Sequence, residues 1–310
     1  MSVIPNRGVF ASCMRPTVLS RRLEGRIEYF VCGQCHLCLA RRVREWKDRI
    51  FHEYDYWGKG LFITLTYNGD NIPPRASLCK SDLQKFWKRL RKSLGRRRIK
   101  YFAVGEYGES DEYGRGADNI GRPHYHAIVL GLEANDLEVI TDAWALGFVH
   151  IGMINPTTVN YVLGYTQKKM RGSDKYIYDS YGILPPFQTQ SKGIGKRWLM
   201  DNLDLVSKDL SYTVNGVSRG LPRYYVKVMK EIKGDEYVKE ILRDRARDYM
   251  DALEDEYRST KNPSYVRPSL DLLARGLMDD FTDWLKATAK VKYDRMLWRL
   301  STAKRRDVYG

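Results

Sequence analysis

No apolar run in this chain of 310 residues reaches the ~18 residues that a membrane-spanning helix needs. Met1 to Ser20 lacks the apolar core of a secretory leader, so neither insertion nor secretion is expected. Cysteines are few and odd in number, five in all. That argues against a disulfide framework and for a reducing cytoplasm. No internal repeat is visible. Ser191-Lys192-Gly193-Ile194-Gly195-Lys196 lacks the Gly-x-x-x-x-Gly-Lys-Ser/Thr order of a phosphate loop, which excludes a nucleotide-hydrolysing helicase on that motif. A contact with a DNA phosphate stays open there.

Positive charge is abundant. The formal net charge is +15, and a polyanion is the expected partner, although charge alone does not separate DNA, RNA and a membrane surface. Lys80 to Lys100 holds ten basic residues and one acid, Asp82. Leu83, Phe86 or Trp87, Leu90 and Leu94 give its first part an apolar helical stripe. Its outer face, with Lys88, Arg91, Lys92, Arg96, Arg97 and Arg98, is expected to contact a DNA backbone, because like charges this dense repel until a polyanion relieves them. The 22 Tyr and 7 Trp suit base stacking on single strands.

Pro123-His124-Tyr125-His126-Ala127-Ile128-Val129-Leu130 reads as a strand. Side chains alternate faces along it, so His124 and His126 point the same way and can hold one divalent cation. Ile99 to Glu106 is a second strand. Paired antiparallel with the first, it sets Glu106 over both histidines; Glu109 is the competing ligand. Two His and a carboxylate suit an open Mg²⁺ or Mn²⁺ site. The polar, glycine-rich segment Tyr107 to Gly121 is expected to be a mobile hairpin loop. Gly60 to Tyr67 and Gly147 to Ile154 are further strands, the latter holding His150, which is expected to be a satisfied sheet histidine. From Asn155-Pro156 a helix is expected, with Asn155 as its cap. On it Tyr161, Tyr165 and Lys168 or Lys169 share a face. Two phenols beside an amine and opposite a metal suit phosphodiester transesterification.

Cys13 and Cys32-Gly33-Gln34-Cys35-His36-Leu37-Cys38 form the other cluster. Cys13, Cys32, Cys35 and Cys38 supply the four ligands of a tetrahedral structural Zn²⁺, with His36 as a substitute for one. An iron–sulfur cluster and unliganded thiols are the alternatives. From Leu37 to Trp57 the pattern is helical, with Leu39, Val43, Trp46 and Ile50 at three- and four-residue steps. Past Tyr225 charges become mixed and the spacing helical, broken at Asn262-Pro263, with two further helices over 270–285 and 291–300.

In this order, Phe62-Ile63-Thr64-Leu65-Thr66-Tyr67, then Gly105-Glu106-Tyr107-Gly108 with Arg122-Pro123-His124-Tyr125-His126, then Tyr161 to Lys168, resemble the three motifs of the HUH endonucleases. They are most similar to the replication initiators of microvirus-type single-stranded DNA phages. The likeness covers about residues 60 to 170. It implies an α+β fold: an antiparallel sheet of about five strands, ferredoxin-like, with helices packed on one side, the site on the open face and a helical C-terminal region. The expected divisions are 1–58, with the cysteines; 59–225, the endonuclease domain; and 226–310.

The resemblance further implies a site-specific single-strand nickase and ligase that starts rolling-circle replication through a 5′-phosphotyrosine. Tyr165, with its Tyr-x-x-Lys step to Lys168, would make the first cut and Tyr161 the second. Origin DNA is the implied substrate, a host helicase and DNA polymerase the implied partners, and the cytoplasm of a bacterial host the place. Two alternatives stand beside it: a non-enzymatic single-stranded DNA or RNA binder, and a relaxase or transposase with the same chemistry. The position of the tyrosines after the His pair disfavours the relaxase.

Overall fold

The computed structural model describes Cys13 and residues 17–21, 26–115, 118–165, 175–214 and 216–260. The chain divides into two compact units, one of residues 43–203 and one of residues 1–42 with 204–310. The expected divisions at 58 and 225 differ from this grouping. The helices expected over 270–285 and 291–300 lie outside the described residues.

The unit of residues 43–203 is built on a five-stranded sheet. Its strands are β3 (Gly60–Tyr67), β4 (Lys100–Tyr107), β5 (Pro123–Leu130), β6 (Gly147–Met153) and β7 (Phe187–Gln190), in the spatial order β6-β3-β5-β4-β7. The pairings are antiparallel. The odd-numbered residues of β3 are buried and the even-numbered ones half-buried. Thus Leu61, Ile63, Leu65 and Tyr67 face one layer of helices with Tyr125, Ala127 and Val129 of β5. That layer comprises α2 (Lys80–Leu94) and α3 (Leu137–Trp144). The expected stripe of α2, Leu83, Phe86, Trp87, Leu90 and Leu94, is buried against it. At ~25 cal/mol per Å² of apolar surface, each such side chain contributes roughly 1.5–3 kcal/mol.

The back layer also holds a polar network. Tyr67 and Tyr125 hydroxyls lie 2.8 Å apart. The Tyr125 hydroxyl donates to the Cys79 carbonyl at 2.9 Å and accepts from the Cys79 N–H at 2.9 Å. Tyr67 reaches Asp82 at 3.1 Å, and the Trp144 indole donates to the Thr66 carbonyl at 3.1 Å.

The opposite face is not open. Helix α1 (His36–Trp57) and α4 (Pro156–Tyr165) cover part of it. Ile50 of α1 and Val159, Val162 and Leu163 of α4 are buried with Phe102, Val104, Ile128 and Leu130, and Val43 and Trp46 pack against them. Helices therefore lie on both sides of the sheet, because α1 carries an apolar stripe of its own. Near its end His52 stacks on Trp198 of α6 (Lys196–Asp201), with ring centroids 3.7 Å apart.

The segment after β4 is pinned rather than mobile. The Gly108 N–H donates to Arg122 O at 3.0 Å and the Gly121 N–H to Gly108 O at 2.7 Å. Buried Arg115 donates to the carbonyls of Ile120 and Ala76 and also reaches that of Arg75. The Tyr181 hydroxyl donates to Arg115 O at 3.0 Å and lies 2.8 Å from Asp118. Ile120 is buried with Tyr178 and Ile183; Tyr178 belongs to α5 (Lys175–Ser180), within a stretch expected to be loop.

The second unit contains the strand pairs β1 (Thr17–Arg21) with β2 (Arg26–Phe30) and β8 (Ser211–Val214) with β9 (Val217–Gly220). Its longer helices are α8 (Arg223–Lys233) and α9 (Asp235–Thr260), with buried Tyr225, Val228, Met229 and Val238. Arg245 of α9 donates to the carbonyls of Asp209 and Leu210 at 3.0 and 2.9 Å.

Burial lowers the pKa of His52 to about 4, against an opposing pull from Asp48. Between the unfolded value near 6.5 and the folded value the unfolded chain binds more protons, so stability falls as pH drops through that window. The loss approaches about 3 kcal/mol at the acid end. Denaturant titrations from pH 7 to pH 4 are expected to show it in the wild type and a shallower fall in His52→Phe, which keeps the stacked ring; parallel curves would rule out His52 as the source.

Candidate metal centre and tyrosine site

Strand alternation puts Glu106, His124 and His126 on the partly covered face, and the pairing brings them together. Glu106 lies opposite His124, and Val104 opposite His126. The Glu106 Oε1 is 2.9 Å from His124 Nε2 and 3.0 Å from His126 Nε2. One ligand atom from each residue fits within a cluster no wider than 4.8 Å. The pinned segment folds outward beyond the strand ends, so the long separation between Glu106 and His124 does not part them. Glu109, the competing carboxylate, is exposed past the end of β4.

The ring orientations suit a cation. His124 Nδ1 lies 3.1 Å from the Arg122 carbonyl. A carbonyl only accepts, so Nδ1 carries the proton and Nε2 presents a lone pair to the site. His126 Nδ1 is 2.9 Å from the Thr64 hydroxyl on the neighbouring strand. With Nδ1–H donating there, its Nε2 also faces the site.

Burial lowers the His126 pKa, outweighing the pull of the Glu106 carboxylate, and so favours the neutral, ligating imidazole. Burial pushes Glu106 up, but the two imidazoles together pull it below its ordinary value, so it stays ionised. Three deprotonated donors converging without another cation are a fit for a divalent metal.

Helix α4 delivers the tyrosine. Asn155 caps it as expected, its Oδ1 accepting the N–H groups of Thr157 and Thr158, each at 2.9 Å. Val159, Val162 and Leu163 anchor the helix on the sheet, which turns Tyr161 toward the histidines. Its hydroxyl is 3.5 Å from His126 Nε2, and its ring is half exposed. Phe62 packs beside both, with its ring centroid 5.6 Å from His126 and 6.1 Å from Tyr161. Tyr165 closes α4; its side chain and Lys168 lie outside the described residues. Thr64 and Phe62 were recognisable in the first motif, but their contacts with His126 and Tyr161 depend on strand pairing and were not read from it. His150 is exposed on the edge strand β6, across β3 from His126, rather than enclosed in the sheet.

The four cysteines also converge. Cys13, Cys32, Cys35 and Cys38 place their sulfurs within 4.8 Å of one another. Cys32 and Cys38 sulfurs are 4.0 Å apart, those of Cys35 and Cys13 3.8 Å. Four sulfurs at ~2.3 Å from a common tetrahedral centre lie about 3.8 Å apart. Backbone N–H groups point at them: Cys32 N–H at Cys13, and those of Gln34 and Cys35 at Cys32. Burial drives the Cys38 thiol well above its ordinary pKa. A bound cation would reverse that preference.

Of the expected DNA-contacting residues, Arg91, Arg96, Arg97 and Arg98 line one groove. Lys88 and Lys92 are exposed on α2 outside its walls.

A His–His–Glu centre on a five-stranded antiparallel sheet, with a helix-borne tyrosine against it, is a site built for phosphodiester chemistry. Residues 60–170 match the family model of the ORF2-type replication-associated proteins. The chain is 27% identical over 250 residues to replication-associated protein VP4 of Bdellovibrio phage phiMH2K, covering 69% of this chain and 75% of that protein. It is 28% identical over 274 residues to replication-associated protein ORF2 of Spiroplasma virus 4, covering 74% and 82%. No solved structure matches. The likeness to microvirus-type replication-associated proteins drawn from the motifs is borne out.

Thr64→Val removes the hydroxyl that orients His126. Isothermal titration with Mn²⁺ is expected to show about 10–100-fold weaker binding, the usual effect of losing an outer hydrogen bond to a metal-ligating histidine, with the thermal melt little changed. Equal affinity in both proteins would remove Thr64 from the centre.

Proposed function

We propose that this chain is the replication initiator of a small single-stranded DNA phage, acting as a metal-dependent tyrosine nickase and ligase of the HUH type. The observation that carries the reading is the Tyr161 hydroxyl, 3.5 Å from the Nε2 of His126 within the His–His–Glu cluster. Glu106, His124 and His126 would hold Mg²⁺ or Mn²⁺, which supplies charge stabilisation for the phosphate oxygens. The chain's own part begins with a tyrosine oxygen attacking the scissile phosphorus. The P–O3′ bond breaks, the phenolic proton is lost, and the 3′ oxygen takes up a proton to become a 3′-OH that a polymerase extends. The new 5′ phosphate stays on the tyrosine. In the reverse step a 3′-OH attacks that link and rejoins the strand. A phenol of pKa ≈ 10 costs about 4 kcal/mol to ionise at neutral pH, and Lys168 is proposed to lower that cost or steady the leaving oxygen. Tyr165, one helical turn from Tyr161, is the second phenol.

The origin strand is the proposed DNA substrate, a host helicase and polymerase the proposed partners, and the bacterial cytoplasm the proposed place of action. No helix among the described residues is long and apolar enough to cross a membrane.

The test uses 5′- and 3′-labelled single-stranded origin oligonucleotides with Mn²⁺ or EDTA on a denaturing gel. A metal-dependent covalent adduct on the fragment with the new 5′ end is expected, lost when both tyrosines become phenylalanine. The Tyr-x-x-Lys spacing assigns the first cut to Tyr165, so Tyr165→Phe alone is expected to block it. A first cut that survives there and vanishes in Tyr161→Phe transfers the role to the phenol beside His126. Retarded native bands without any cleavage would favour the non-enzymatic binder.

The cysteine cluster is proposed to hold a structural Zn²⁺, supported by the sulfur spacing. Purified protein is expected to contain one zinc per chain by elemental analysis, and Cys35→Ser to lower that content and the melting temperature. Iron with visible charge-transfer absorption would replace the zinc reading by an iron–sulfur one.

A further inference from the structure

At the end of the sheet remote from the metal ligands lies a groove of about 810 Å³. Arg91, Arg96, Arg97, Arg98, Lys100 and Arg197 contribute positive charge to its walls, and Tyr56 and Trp57 contribute rings. The acids around these cations are already engaged. Glu53 accepts from Lys100 at 2.7 Å, from the Trp57 indole at 2.9 Å and from the Gly195 N–H at 2.6 Å. Asp136 takes both terminal nitrogens of Arg97 at 2.7 Å, and Asp201 lies 3.8 Å from Arg197.

Arg97 is thus a clamp: its second nitrogen also donates to the Gly131 carbonyl at 3.1 Å, fixing the turn between α2 and β4. Its neighbours Arg96 and Arg98 are exposed and have no acidic partner among the described residues. Arg91 lies over the Tyr101 ring at 5.6 Å and Arg197 over Tyr56 at 4.5 Å. Held cations with no acid of their own, beside aromatic rings, form a site for phosphates with bases alongside.

The position sets the distance. Lys100 and Glu106 are the two ends of one strand face, six residue steps apart, or about 20 Å. A DNA strand covers that in about six nucleotides at ~3.4 Å each. We infer that the groove is a second DNA-binding site, which takes the backbone of the same strand at least about six nucleotides from the scissile phosphate. This inference rests on the proposed nicking reaction for the identity of its ligand. It makes the protein a two-point reader of the strand, with the cut set at a fixed distance from a backbone grip.

The test is binding without chemistry. Fluorescent oligodeoxythymidines of four to thirty nucleotides are titrated with the full chain in EDTA at several salt concentrations. The wild type is expected to bind on the order of tenfold more tightly once the length exceeds the span between the two points. In Arg96→Ala/Arg98→Ala the step disappears and the salt slope falls by about one or more. Arg197→Ala, from a different element, is expected to weaken the long oligonucleotides in the same direction. Photocrosslinking of iodouridine-substituted strands is expected to label the peptide with Tyr56 and Trp57. Long-oligonucleotide binding unchanged within twofold in both variants would overturn the inference and leave the groove to an acidic protein partner. Equal weakening at every length would overturn it too, since the groove would then not be a separate point. Because no step uses the metal or the tyrosines, these results stand apart from success or failure of the nicking assay.

Discussion

Tyr125 stands between the two histidines and points the other way. Its hydroxyl is held from three directions on the back of the sheet, by both backbone groups of Cys79 and by Tyr67. A strand slipped by one residue would send every side chain to the opposite face. The histidines would enter the apolar layer beneath α2, and the tyrosine would stand at the reactive face. Burial makes such a slip costly, because each polar atom in the network would lose its partner where water does not reach. The arrangement of His124, His126 and Glu106 is therefore fixed from behind, by groups that never touch a substrate.

The front of the site is built with different materials. Arg122 supplies a backbone carbonyl and Thr64 a hydroxyl, and these orient the rings by hydrogen bonds at the nitrogens turned away from the cluster. Packing of α4 then carries Tyr161 to the exposed rim. The rigid groups are those that bind or orient; the phenol lies at the margin, where a strand of DNA has room to enter. The pinned segment between Gly108 and Gly121 fits the same division, since its anchoring runs outward to Tyr181 and Ala76 and leaves the cluster undisturbed.

Much of this was legible in the sequence, where a local pattern settles the outcome. Alternation in Pro123 to Leu130 places two imidazoles on one face, and the stripe of α2 names its buried residues. The cap at Asn155 follows from its side chain and the proline after it. What escaped the sequence depends on partners far apart in the chain. The stripe of α1 shows that the helix is buried on one side but not against what, so its place over Phe102 and Ile128 had to come from the structure. The segment after β4 looked loose because its glycines and polar groups are loop-like. It is fixed instead by Arg115, whose acceptors at Ala76 and Ile120 leave no periodic signal. The turn at Arg97 looked like three equivalent cations, whereas a carboxylate some 39 residues on makes one of them structural.

The unit formed by residues 1–42 and 204–310 is interrupted by the whole of the other. A ribosome completes residues 43–203 before the later part of the interrupted unit exists. The sheet, a contiguous stretch, can close as soon as its last strand emerges, in the usual order in which units fold during synthesis. The cysteine-bearing segment must wait through about 160 further residues for the rest of its own unit. In that interval its thiolates would have only one another and any metal ion at hand, so local closure around such an ion would shield reactive sulfur during the longest exposed stage of the chain's assembly.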